Sequence, residues 1–148
     1  MKRIGFFLNF SSSGGGIFQY AITLLDAFYL TDYEIVVLYD KKSWHKELDK
    51  YKDKFKIYPL KYAKFYDFLS KLFLLTRAPV GFCFIIQKII NPDYRFKRAL
   101  NCDYWIYPYP DIASYQSNLK YIVSIHDLMH IYEPNFPELS GPLKTPIR

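Results

Sequence analysis

Short apolar runs alternate with stretches of helical periodicity along this chain. Residues 3–8 are apolar and read as a strand, and residues 9–16, rich in serine and glycine, form a loop that no helix tolerates. In residues 17–29 the side chains of Ile17, Tyr20, Ala21, Leu24, Leu25 and Phe28 fall on one helical face. Thr31 and Asp32 end that helix, and residues 33–39, centred on Ile35-Val36-Val37-Leu38, predict a second strand closed by Asp40. Residues 41–51 predict a charged helix starting near Ser43, and residues 54–60 a third strand with Phe55, Ile57 and Pro59 on one face.

Residues 61–76 are again helical in pattern, with Phe65, Phe68, Leu69, Leu72 and Phe73 spaced by three and four and Lys64 and Lys71 opposite. Pro79 and Gly81 break the pattern, residues 82–90 resume it, and Asn91-Pro92 opens a turn or short helix through Leu100. Residues 103–107, stopped by Pro108 and Pro110, are a fourth strand, and residues 119–125 a fifth. Strands that are apolar on both faces and alternate with helices predict an α/β fold: a Rossmann-like open parallel sheet with helices on both faces. The last sixteen residues carry four prolines and one glycine, so they read as loop and complete no further βα unit. The expectation is a single domain over residues 1–148 that stops before its last βα unit.

Composition narrows the class. A chain of 148 residues that is 51% hydrophobic and 20% aromatic has material for one packed domain and is not disordered. Cys83 and Cys102 make neither a disulfide framework nor a metal-ligand spacing, which points to small buried side chains in a reducing compartment. The apolar run after Lys2-Arg3 stops at Asn9, too early for a signal peptide, and Asp67, Lys71, Arg77, Pro79 and Lys88 interrupt the longest apolar region.

The net charge of +6 is concentrated. Residues 41–77 hold eleven Lys/Arg against four Asp/Glu, whereas the remainder holds nine against ten. Such a basic, aromatic-laced segment suits an anionic membrane surface, nucleic acid or a phosphorylated substrate, and equally an ordinary solvated helix face.

The candidate chemistry sits at two loops on the carboxyl edge of the sheet, where open α/β sheets take their ligands. The first runs from Ser11 through Gly14, Gly15 and Gly16 into a helix, and its bare amides suit a phosphate or sugar hydroxyl. The second is the strand end Ile122-Val123-Ser124-Ile125 running into His126 and Asp127. His126 could be a general acid or base, a hydrogen-bond donor or a metal ligand, and Asp127 could orient a histidine or cap a turn. His126 and His130 lack the glutamate and helical context of a zinc site, so no metal is expected. Asp40 stands where a dehydrogenase holds a ribose, yet five residues separate Leu8 from Gly14 and Gln19 occupies the third-glycine position, against a dinucleotide fingerprint. No Gly-Lys-Ser/Thr follows, which excludes a Walker loop.

Several of these segments together resemble one family. The Lys-Arg-Ile-Gly-Phe strand at 2–6, Ser-Gly-Gly-Gly-Ile at 13–17, Asp-Tyr-Trp-Ile-Tyr at 103–107, and Ile122 to His130 followed by Tyr132-Glu133-Pro134 look like a family 4 retaining glycosyltransferase of the GT-B fold. The resemblance covers the N-terminal, acceptor-side domain of such an enzyme, with the C-terminal donor domain absent. It implies transfer of a sugar from a nucleotide-sugar to a glycan or lipid-linked acceptor with retention, by the full-length protein and not by this chain alone. No cofactor is implied beyond the nucleotide-sugar substrate, and no nucleic acid.

By the same resemblance His126 contacts the transferred sugar, and Gly14, Gly15, Gly16 and Asp127 line the donor and acceptor site. A cytoplasmic protein peripheral to the inner membrane face is implied, with Lys61, Lys64, Lys71 and Arg77, among Tyr62, Phe65, Phe68 and Phe73, as a basic docking element. The alternative is a non-catalytic nucleotide- or glycan-binding module of the same fold.

Overall fold

The computed structural model describes residues 2–11, 15–40, 43–60, 68–69, 71–73, 75–110, 114 and 118–126. Strand β1 (Arg3–Leu8) leads through the glycine loop into α1 (Gly16–Tyr29), followed by β2 (Glu34–Tyr39), α2 (Trp44–Leu48) and β3 (Lys56–Pro59). The chain continues with α3 (Val80–Ile90), α4 (Pro92–Ala99), β4 (Tyr104–Tyr107) and β5 (Tyr121–Val123). All five strands are parallel, in the order β3-β2-β1-β4-β5. The Rossmann-like open sheet read from the sequence is therefore the fold.

The central position of β1 explains its composition. Ile4, Phe6 and Leu8 face one side, where they pack with Ile35, Val37, Ala21, Leu25, Trp44 and Leu48 under α1 and α2. Phe7 faces the other side with Leu38, Leu60, Trp105 and Tyr107. On that side Lys97 of α4 is buried and holds its ammonium 3.3 Å from the centre of the Phe7 ring, while Phe96 meets Tyr58 edge to face. A strand covered on both faces has no polar positions to alternate with.

The elements are shorter than the periodicity suggests where the sheet ends. The helix expected over 41–51 is regular only from Trp44 to Leu48 and tightens into a 3-10 turn at Asp49–Tyr51. Among the described residues β3 pairs with β2 alone, and only four of its expected residues join the ladder. The fifth strand stops at Val123, is paired only with β4 among the described residues, and exposes Tyr121 and Ile122, so within them it is an edge strand and not a buried one. Cys83 is buried and Cys102 half-buried, and burial pushes the Cys102 thiol up to about 11, which leaves it protonated at neutral pH.

The amino edge of the sheet is closed by charge pairs. Arg3 donates through Nε to Glu34 at 2.8 Å and through Nη1 to the Leu100 carbonyl at 2.7 Å, and Lys56 reaches the other Glu34 oxygen at 2.7 Å. The Asp103 carboxylate accepts from the Arg3 amide at 2.8 Å. The opposite, carboxyl edge is where polar groups are left to face a ligand.

Candidate functional site

In the order β3-β2-β1-β4-β5 the chain reverses direction between β1 and β4, and their carboxyl ends flank the crevice that open α/β sheets use for ligands. Asn9 and Phe10 follow β1 there, and Pro108 and Tyr109 follow β4. Phe10 is fixed by Trp44, whose Nε1–H donates to the Phe10 carbonyl at 2.6 Å and whose ring meets Phe10 edge to face. Phe18 and Tyr109 complete this aromatic floor. Asn9, the first polar residue beyond β1, is half-buried with no hydrogen-bond partner for its amide among the described residues.

The glycine loop ends at Gly15, which adopts φ 58 and ψ −127 as the N-cap of α1. Side chains avoid that region of backbone space, so the sequence must supply glycine. No side chain caps the helix and its first turn holds no acidic residue. The first amides of α1 and the positive end of its dipole therefore meet no capping or acidic side chain among the described residues. Gly16 stands beside Gly15 with open space around both, while Gly14 lies outside the described residues.

His126 reaches the same crevice from the outer side. The backbone leaves β5 at Val123 and continues the ladder for one more bond, Ser124 N–H to the Tyr107 carbonyl at 3.1 Å. That carries the exposed imidazole of His126 over the end of β4, where Nε2 lies 2.5 Å from the carbonyl oxygen of Pro108. A carbonyl only accepts, so Nε2 carries the proton in this contact, and in the tautomer protonated there alone Nδ1 is an acceptor. Nδ1 has no partner among the described residues. The ring can accept from a hydroxyl through Nδ1, or donate to an anion once protonated there.

Tyr20 joins the two loops. Its ring lies edge-on to His126, and its hydroxyl is 2.8 Å from the Ser124 hydroxyl. The sequence pattern places Tyr20 on the core face of α1, but the buried stripe consists of Ala21 and Leu25, and Tyr20 is turned out to the crevice. Tyr20, Ser124 and Asn9 are the site residues that motif reasoning misses. Only Asn9 has a local signal, the polar residue that ends an apolar run.

The other predicted positions divide. Asp127, Lys61 and Lys64 lie outside the described residues, as do Tyr62 and Phe65. Lys71 and Arg77 are exposed, but Phe73 is buried and cannot take part in docking. Asp40 follows β2, and its amide donates to the Leu8 carbonyl at 3.0 Å. Among the described residues no group of three or more His, Cys, Asp or Glu comes together.

Fold and edge define a class: an α/β protein with an open parallel sheet that presents a helix N-terminus and a histidine at its topological switch point. No family model, curated protein or solved structure matches the chain.

Proposed function

We propose that this chain is the acceptor-side domain of a retaining glycosyltransferase and contributes one wall of a site for a nucleotide-sugar and a glycan or lipid-linked acceptor. The observation that carries the reading is the meeting, through Tyr20, of the uncapped N-terminus of α1 with the imidazole of His126. A diphosphate needs backbone donors that approach closely, which Gly15 and Gly16 permit. A sugar hydroxyl needs an acceptor fixed in direction, which Nδ1 of His126 supplies while Nε2 is held by Pro108. Charge developing on the transferred sugar and its leaving diphosphate is then met by groups already oriented.

Isothermal titration of the chain separates this reading from its neighbours. Saturable heat with UDP-glucose or GDP-mannose, at dissociation constants on the order of 1 mM for a half-site, and none with dinucleotides is the expected result. Preference for NAD over both sugar nucleotides makes the edge a dinucleotide site, and binding of glycan alone makes the chain a non-catalytic module. The complete reaction is read from the anomeric configuration of the product, which transfer with retention leaves unchanged.

A further inference from the structure

The ladder between β1 and β4 stops short of their carboxyl ends. Its register runs Ile4 to Tyr104, Gly5 to Trp105 and Phe6 to Ile106, while β1 continues beside β2 as far as Leu8 and β4 beside β5 as far as Tyr107. The two strands therefore part at Phe7 and Tyr107, at the switch point where an open sheet makes its crevice. Side chains on the face beneath α4 span the gap. The rings of Phe7 and Tyr107 have centroids 5.2 Å apart. The ammonium of Lys97 sits 3.3 Å from the centre of the Phe7 ring, 5.4 Å from that of Tyr107 and 3.4 Å from the Tyr107 hydroxyl oxygen.

The direction of α4 brings a lysine there. The helix ends at the amino edge, where the Leu100 carbonyl accepts from Arg3, and helical side chains lean back towards the N-terminus of their helix. The stem of Lys97 thus carries its charge past Trp105, whose ring centre is 6.0 Å away, to the carboxyl end of the sheet. At 2% exposure the ammonium has given up its water, and the rings of Phe7, Tyr107 and Trp105 are among the groups that replace it. Asp93, one turn earlier on the same face of α4, is buried as well, which places an acid on the same helix. As a mere filler a buried cation is a poor choice, since apolar side chains of similar size often stabilise such a site as well or better. What the ammonium adds is a single charge attracted at once to a ring of β1 and a ring of β4.

The end of β4 is also what holds His126. The Tyr107 carbonyl accepts from the Ser124 amide at 3.1 Å, and the next carbonyl, that of Pro108, accepts from Nε2 of His126. We infer that Lys97 is a positioning residue: its ammonium, set between Phe7 and Tyr107, holds the ends of β1 and β4 at the separation that aims His126 into the crevice. It acts from the far face of the sheet, through β4. The inference concerns the placement of the imidazole and does not depend on the transferase reading.

Hydrogen exchange followed by NMR in the 148-residue chain tests it, with Lys97→Met, which keeps an unbranched stem and removes the charge. A residue that only stabilises the fold speeds the exchange of all core amides together, through global unfolding, whereas a positioning residue acts locally. The Ser124 amide is expected to exchange at least about tenfold faster in Lys97→Met than in the wild-type chain, beyond any change at the Val37 amide in the middle of the sheet. The Nε2 proton of His126, visible in the wild-type spectrum, is expected to be lost to exchange with water. Phe7→Leu, which removes the ring under the ammonium and leaves Lys97 in place, gives the same local pattern and carries the test if Lys97→Met does not fold. Equal acceleration at Ser124 and Val37, or none at either, in a folded variant overturns the inference. So does a Ser124 amide that is unprotected in the wild type, or an Nε2 proton that stays visible in folded Lys97→Met.

Discussion

The ring of Tyr20 meets the imidazole of His126 edge to face, with centroids 4.8 Å apart. Tyr20 belongs to the second turn of α1 and His126 to the segment beyond β5, so this contact ties the glycine loop to the histidine across the end of the sheet. The contact fixes one face of the imidazole while the Pro108 carbonyl fixes Nε2. The remaining nitrogen is aimed by two independent constraints.

Replacement of His126 by Ala therefore separates binding from stability. The imidazole is exposed, so unfolding free energy changes by less than about 1 kcal/mol. Affinity for a sugar nucleotide falls by about tenfold, the loss of one oriented hydrogen bond. Tyr20→Phe keeps the ring contact and loses only the bond to Ser124, and its effect on affinity is several-fold smaller. Titration calorimetry on both variants, with urea denaturation in parallel, checks this. Unchanged affinity in His126→Ala removes the histidine from the site.

How much of this was legible in the sequence depends on whether the deciding interaction is local. β1 and β2 were legible because burial on both faces leaves an uninterrupted apolar run, and the glycine loop because no other element tolerates its residues. The edge status of β5 was not, because Tyr121-Ile122-Val123 has the composition of a central strand and only the order of strands exposes it. Tyr20 borders the buried stripe of α1, and a change of one position in helical phase decides between core and crevice. The buried side of α3 was hidden for a related reason: periodicity assigns its apolar stripe, Phe82, Ile85 and Ile89, to the core, whereas those residues are exposed and Gln87, bonded to Asn91, is buried.

Glu34 gives the fold an acid-sensitive clasp. Hydrogen bonds from Arg3 and then Lys56 hold its carboxyl well below the ordinary value of 4.5, at about 2. The folded chain therefore favours the ionised form. The stabilisation is fully present above about pH 4.5 and is lost as pH falls towards 2. Glu34→Gln should flatten this part of the acid limb, measured as the midpoint of urea denaturation between pH 5 and 2. Identical pH profiles for the two proteins would show that the clasp does not contribute.

Trp44 links stability to the shape of the crevice. It is fully buried, and its indole donates to the Phe10 carbonyl at 2.6 Å. Trp44→Phe removes ring volume from the core and leaves that carbonyl without its donor, for a loss of about 2–3 kcal/mol. The loop after β1 then loses its anchor, and affinity for a sugar nucleotide drops although Trp44 lies beneath the crevice. Denaturation followed by circular dichroism, beside titration, checks both effects. A stability loss with unchanged affinity would confine Trp44 to the core.

Gly5 is the position where the sheet has least room. It lies in β1 with β2 on one side and β4 on the other, opposite Val36 and Trp105. A methyl group there would stand 2.5 Å from Cε3 of Trp105, closer than any real contact, and the indole is buried against neighbours that hold it. Gly5→Ala should therefore cost about 3 kcal/mol or more, since neither the central strand nor the ring can retreat. Gly81→Ala is the control, because nothing lies within 4 Å of its added methyl and it sits in α3, where alanine gains about 0.5–1 kcal/mol.

The cause is separable from a general intolerance of β1 to side chains. Trp105→Leu opens space above Gly5, and the indole Nε1 has no hydrogen-bond partner to lose among the described residues. The double variant Gly5→Ala, Trp105→Leu should then lose less than the sum of the two single losses by about 1 kcal/mol or more. Additive losses in urea denaturation would mean that the strain lies in the backbone of β1 and not in the approach of the ring.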